Sequence, residues 1–313
     1  MLRIVLRRLL QSIPIGLIVL VGTFILIRVG GGDPTATILG ISATAEQRAE
    51  LRETLGLNDP LFTQLLRYVG EVFTGDFGDS YVSKRPVVAV LLQALPVTLS
   101  VTLLAVTVAF IVGIPLGILA ARRGGVTDRV IQSSTVLFMA IPGFWLALML
   151  MVGFAVRLRW FPTSGYVAFE RDALGWIQHV TLPVVALCSA AVAALCLQTR
   201  ARFVDIFDQD FIRTLRAAGV PTRSIVFRHA LKNAGGTIVT VGGLQFIGLL
   251  GGVMFVEQVF ALPGIGRIAV QAATQHDFPI LQGIVVVLMV LVVITNLVVE
   301  IARAAVNPKV RLA

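Results

Sequence analysis

The sequence predicts an all-α, polytopic membrane protein with six transmembrane helices, and three observations carry that class. Hydrophobic residues make up 57% of the 313-residue chain against 14% charged. The mean hydropathy is +0.90, outside the range of ordinary soluble domains. Six apolar runs, at 9–29, 97–121, 130–156, 180–197, 237–256 and 280–299, approach or exceed the roughly 20 residues an α-helix needs to cross a bilayer core. Backbone groups in lipid must pair within their own segment, so each run is expected to be helical. The alternation of a barrel strand is absent.

The first run follows Arg3, Arg7 and Arg8 and contains Pro14 and Arg28. It exceeds the roughly 7–15 apolar residues of a secretion signal, so it is expected to stay as an anchor. Residues 30–96 form a polar external segment with eight acidic and five basic side chains. Thr44 with Gln47 fits a capping box for a helix through Leu55, which Gly56 ends. Such a segment either receives a soluble partner or covers the helices. In the second run Gly113 and Gly117 flank Pro115, and Gly248 and Gly252 share the same spacing in the fifth, a pattern that serves close helix packing or a moving interface. Cys188 and Cys196, both in the fourth run, are expected to pack as small apolar residues. His179, His229 and His276 are far apart along the chain, so metal ligation by them is not expected.

Basic residues set the orientation. With both termini inside, sixteen of the 26 Lys and Arg residues fall in cytoplasmic pieces: three before the first run, Arg122, Arg123 and Arg129, seven from Arg200 to Lys232, and Arg303, Lys309 and Arg311. Much of the net charge of +9 belongs to this topology and faces anionic membrane lipid; nucleic acid is not called for. The predicted organisation is a cytoplasmic N-terminus and first helix at 1–29, the external segment at 30–96, a five-helix core at 97–306 and a cytoplasmic tail at 307–313.

Within the core, residues 200–234 are a long polar, basic break that reads as two short amphipathic helices meeting at Gly219. On the first, Phe211, Ile212, Leu215 and Ala218 share one face, with Arg213 and Arg216 beside it and Asp210 as expected N-cap. On the second, Phe227, Ala230, Leu231 and Ala234 form the apolar stripe. A helix this short is marginal alone in water, so it must pack against something.

The span interiors hold no Asp, Glu, Lys or His, which argues against a proton- or ion-coupled secondary transporter. No Gly-x-x-x-x-Gly-Lys-Ser/Thr loop is present either, so any nucleotide must bind another polypeptide. A passive channel would leave the 200–234 loop without a moving partner. Gln245 is a candidate pore-facing group or an interhelical hydrogen-bonder. Glu257, at the outer edge of the fifth run, is a candidate pathway group or a solvated rim charge.

The segments Phe211-Ile-Arg-Thr-Leu-Arg-Ala-Ala-Gly219 and Phe227-Arg-His-Ala-Leu-Lys-Asn-Ala234 resemble the EAA loop of bacterial ABC importer permeases, in the dipeptide, oligopeptide and nickel branch. Gly32-Asp-Pro34, Leu55-Gly-Leu-Asn-Asp-Pro60, Gly75-Asp-Phe-Gly78, Leu95-Pro-Val-Thr98, Phe161-Pro162, Leu262-Pro-Gly-Ile-Gly-Arg267, Asp277-Phe-Pro279 and Asn307-Pro308 extend the likeness along almost the whole chain. The loop departs from the general motif in having Arg213-Thr214-Leu215 for Glu-Ala-Ala, Leu215 and Ala218 depart from the branch pattern, and Gly31 stands where a proline is usual.

The resemblance implies a type I importer permease fold in a bacterial inner membrane and no covalent chemistry on this chain. It implies that Asp210, Phe211, Ile212, Arg213 and Thr214, with Leu215, Arg216, Ala217, Ala218 and the hinge Gly219, contact an ATPase. It further implies a second, related permease as a heterodimeric partner, two ATP-binding subunits that carry ATP and Mg, and an external solute-binding protein. The implied cargo is a di- or oligopeptide, with glutathione, nickel chelates or another small solute as alternatives.

Overall fold

A computed structural model describes residues 2–30, 33–40 and 42–306. Gly31, Gly32, Asn307-Pro308, Lys309, Arg311 and the tail at 307–313 lie outside the described residues. Those described are mainly helical, joined by turns and loops, with one isolated antiparallel bridge between Asp79 and Pro86. In chain order the helices are α1 (Leu2–Gly30), α2 (Pro34–Leu39), α3 (Ala45–Thr54), α4 (Leu61–Thr74), α5 (Val87–Arg123), α6 (Gly125–Ala140) and α7 (Gly143–Leu150). Then come α8 (Ala173–Phe207), α9 (Asp210–Ala217), α10 (Thr222–Ser224), α11 (Leu231–Val259), α12 (Ile265–Thr274) and α13 (Phe278–Val306). Among the described residues, five helical runs are long and apolar enough to cross a membrane, and a sixth counts if α6 and α7, bent by 93°, are taken as one broken span.

That bend corrects the third expected span, which the sequence presents as continuous over 130–156. Ile141 is extended at φ −80°, ψ 121° and Pro142 at φ −61°, ψ 130°. Proline pushes its predecessor out of the helical region and lacks the N–H that would continue the ladder. The chain restarts at Gly143 and runs on from α7 through a π-helical turn at Met151–Arg157.

Two compact units divide the chain. The first comprises Met1–Val97 and Pro263–Val293. Its core includes a cluster of Leu20, Phe24, Tyr68 and Val286 and another of Val87, Leu91, Ala94, Ile265, Ala272, Ile280 and Ile284. Several polar side chains there are held by specific hydrogen bonds. The capping box forms as expected, Gln47 N–H reaching Thr44 Oγ1 at 3.2 Å and Thr44 N–H reaching Gln47 Oε1 at 3.0 Å. Asp33 caps α2 by accepting from Thr35 N–H at 3.0 Å and from its hydroxyl at 2.7 Å, and pairs with Arg52 at 3.0 Å. Burial pushes the Asp33 carboxyl up, yet Thr35 and Arg52 outweigh it and hold it below the usual carboxylate value. Asp277, almost fully buried, accepts from the Ser80 hydroxyl and from Tyr81 N–H at 3.1 Å, stapling the 79–86 hairpin to the start of α13.

The second unit comprises Thr98–Leu262 and Ile294–Ala313. Here α8 is central and packs on α6, α7 and α11. Its cysteines are buried free thiols, as the composition of that span predicts. The second amphipathic helix expected after Gly219 is not a separate piece. From α10 the chain passes through a π-helical turn at Ile225–Ala230 straight into α11, one helical run at Thr222–Val259.

Candidate functional site

The 200–234 segment is built from the ends of two long helices and the short one between them. The last turns of α8 hold on by Phe203 and Ile206, both fully buried. After Asp208, α9 opens with Gln209 as N-cap, which corrects the assignment of that role to Asp210. Asp210 is instead the first helical residue, where its charge still suits the positive end of the helix. Its pair with Arg213, at 3.3 Å, lies between side chains 94% and 71% exposed and contributes little to stability.

Ile212 is the anchor of α9, with no exposed surface, and Phe211 and Leu215 lie half-buried beside it. Asp210, Arg213, Thr214, Arg216 and Ala217 face outward, and so does Ala218, which the sequence pattern places on the apolar face. The helix stops in a Schellman arrangement: Gly219 N–H bonds to Arg216 O at 3.0 Å and Val220 N–H to Leu215 O at 3.1 Å. Gly219 sits at φ +73°, in the left-handed region that non-glycine residues seldom adopt. The result is a fixed short helix with one buried anchor and an exposed, mainly cationic outer face.

A bidentate ion pair braces this end of the unit. Arg200 Nε donates to Asp128 Oδ1 at 2.7 Å, its terminal nitrogen bonds the second oxygen, and Gln132 donates to Asp128 at 3.0 Å. Both charges are mostly shielded, and the pair ties α8 to α6 just where α8 leaves the apolar zone. The partners are 72 residues apart, so no periodicity reveals them. Asp128→Ala and Arg200→Ala are each expected to lower stability by about 1–2 kcal/mol. A thermal-unfolding cycle checks this: the double variant should lose no more than the worse single one, and additive losses would remove the pair's role.

The two pathway candidates are not brought together. Gln245 is half-buried on α11. Glu257 is fully buried, and Thr98 Oγ1 donates to its Oε1 at 2.6 Å, so the reading of a solvated rim charge is corrected. A carboxyl there needs partners, because an unpaired buried charge is strongly unfavourable.

Of the glycines singled out, Gly113 and Gly117 lie directly against α8. A Cβ on Gly117 would stand 2.5 Å from Cys196 O, and one on Gly113 2.8 Å from Val192 O. Gly248 meets nothing within 4 Å. The close approaches on α11 are at Gly235, Gly242 and Gly243, against Val306, Phe110 and Val299, positions the four-residue spacing does not select.

Comparisons with known proteins agree with this architecture. Residues 113–312 match the binding-protein-dependent transport system inner membrane component family, and residues 1–102 match the N-terminal part of such components. A putative peptide transport system permease protein of Brucella abortus (strain 2308) is 38% identical over 309 residues, 98% of each chain. The oligopeptide transport system permease protein of Bacillus subtilis (strain 168) is 36% identical over 98% of each chain. A glutathione transport system permease protein of Salmonella paratyphi A is 40% identical over 99% of each. Among solved structures, the inward-facing MetNI methionine ABC transporter superposes with a TM-score of 0.57 at 21% identity, covering 70% of this chain and 97% of that one. That likeness shows a shared type I importer permease fold. On sequence along nearly its full length and on fold, the chain belongs to the binding-protein-dependent transport system inner membrane components, the permeases of ABC importers.

Proposed function

We propose that this chain is half of the membrane pathway of an ATP-driven importer for di- or oligopeptides, and that α9 is its contact with an ATP-binding subunit. The observation that carries the coupling role is the geometry of α9. It is pinned by Ile212 and ended by Gly219, and it turns Asp210, Arg213, Thr214, Arg216 and Ala217 outward. A helix too short to persist alone, yet rigidly mounted between two long helices, transmits a push instead of absorbing it. ATP and Mg then belong to the partner subunits. The 200–234 loop and both termini lie on the cytoplasmic side, in line with the distribution of Lys and Arg. A second, related permease completes the pathway, the 30–96 segment faces an external solute-binding protein, and the relatives' names describe transport subunits, not enzymes.

The peptide reading is supported by the relatives named for peptide and oligopeptide transport. A glutathione cargo is favoured by one observation, the 40% identity to a permease named for it, and glutathione is itself a tripeptide. Uptake into proteoliposomes carrying the chain with its partner permease, ATPases and binding protein separates them. Labelled oligopeptides are expected to enter only with ATP and the binding protein, and nickel chelates are not. Entry of glutathione alone would restrict the cargo to that compound, and ATP-independent entry would overturn the importer reading.

A further inference from the structure

The first unit holds an open cavity of about 250 Å³, walled by the 80–90 stretch on one part and by α12 with the start of α13 on the other. Pockets for drug-sized ligands take about 300–1,000 Å³, so this one suits something smaller. Val90, Ile268 and Ile280 make part of its wall apolar, and two opposite charges, Asp277 and Arg85, line it as well. The charges are held by different partners. Asp277, 3% exposed, accepts from Tyr81 N–H at 3.1 Å and from the Ser80 hydroxyl, whereas the exposed Arg85 donates to Gln93 Oε1 at 3.1 Å. No ion pair joins the two. A carboxylate accepts about four hydrogen bonds, so Asp277 keeps capacity for two more donors, and burial makes a cationic one favourable.

Backbone geometry fixes both groups. The end of α12 is a Schellman turn, with Asp277 N–H bonding Ala272 O at 2.9 Å and His276 N–H bonding Ala273 O at 3.5 Å. His276 takes the left-handed position there, at φ +54°, where glycine is usual. Lys84 is left-handed too, at φ +56°, in the turn that Ser80 N–H closes on Arg85 O at 2.9 Å. Residues with side chains seldom adopt this region, and those that do gather at functional sites. One stands immediately before each of the two charges. Gln271 and Gln275, four apart at the end of α12, line the same cavity and bring amide donors and acceptors. A metal ion fits this lining poorly, because Asp277 is its one acidic side chain and, among the described residues, no group of three His, Cys, Asp or Glu is placed to hold one.

We propose that this cavity binds a small zwitterion, a free α-amino acid or a dipeptide, with its ammonium on Asp277 and its carboxylate on Arg85. The planar guanidinium holds a carboxylate through two N–H groups, and the buried Asp277 gains the cation it lacks. The bound molecule ties the 79–86 hairpin to α12 and the start of α13. In the orientation proposed above the site opens outside the membrane, so its occupancy follows the level of free peptide and amino acid there. It is independent of the role of α9.

Calorimetric titration and thermal unfolding of the full chain in nanodiscs, where both faces are open to ligand, test it with L-alanine and L-alanyl-L-alanine as probes. At least one is expected to bind and to raise the unfolding midpoint. Its N-acetyl and C-amide forms, each lacking one charge, are expected to bind about tenfold or more weakly. Arg85→Gln is expected to weaken the uncapped probe about tenfold and to bind it no better than its amide, and Gln271→Ala to weaken it several-fold. Asp277→Asn should likewise erase the preference over the N-acetyl form. Because that change also alters the staple to Ser80, the two exposed positions carry the test if the variant does not fold. Absence of binding by both probes at millimolar concentration overturns the site, and so does equal binding of charged and capped forms. Binding that Arg85→Gln leaves unchanged belongs elsewhere in the permease and overturns it too.

Discussion

Gly219→Val is expected to reduce ATP-driven uptake about tenfold or more in a permease that still reaches the membrane and still unfolds cooperatively. The glycine stands at φ +73°, and a Cβ there meets nothing within 4 Å, so the penalty is purely one of backbone conformation. A β-branched residue in the left-handed region is strained by about 1–3 kcal/mol. The global fold absorbs that, but α9 does not, because it is eight residues long and only Ile212 is fully buried. With the turn relaxed, α9 no longer holds a fixed angle to α10 and α11, and about 1.4 kcal/mol at that point is already tenfold in the population of the docked geometry. Asn and Asp tolerate the left-handed region better, so Gly219→Asn is expected to keep most of the uptake. Uptake assays on both variants, reconstituted with their partners, decide the matter: normal transport by the valine variant would end the assignment of α9 as the coupling element.

Gly117→Leu is expected to prevent accumulation of folded permease, and Gly117→Ala to lower the midpoint of thermal unfolding by about 5–10 °C. A Cβ at this position would fall 2.5 Å from Cys196 O and 2.7 Å from Thr199 Cβ. The first of these is backbone and cannot swing aside, so α5 and α8 must separate. Gly248→Ala is the control. It sits on another apolar helix with nothing in reach of a new methyl group, and no change is expected. Equal midpoints for the two alanine variants would contradict the close α5–α8 packing.

The contrast between Gly117 and Gly248 also shows where sequence reasoning stops. Both belong to a pair of glycines four residues apart, and only the identity of the facing surface, set by the whole tertiary arrangement, tells them apart. The long apolar helices were legible because lipid leaves the backbone no alternative to internal hydrogen bonds. The break at Ile141 to Gly143 was not, because Pro14 and Pro183 lie inside uninterrupted helices, so proline alone does not mark a break. The capping box of α3 and the turn at Gly219 were readable from a few neighbouring residues. Phe227, placed on the apolar stripe with Ala230 and Ala234 but 59% exposed, misled because a π turn has no periodic signature, and a 3.6-residue pattern assigns its ring to the wrong face. Asp128 with Arg200 and Ser80 with Asp277 pair across long sequence separations, beyond any local pattern.

The fusion of α10 and α11 into a single run has a mechanical meaning. Thirty-eight residues of helix make a rod of about 57 Å, with Phe227 near one end and the buried Glu257 near the other. A lever of that length, pivoting near its middle by about 5°, carries its two tips about 2–3 Å in opposite directions. That is about half the pitch of a helical turn, and as large as the 2.6 Å hydrogen bond by which Thr98 holds Glu257.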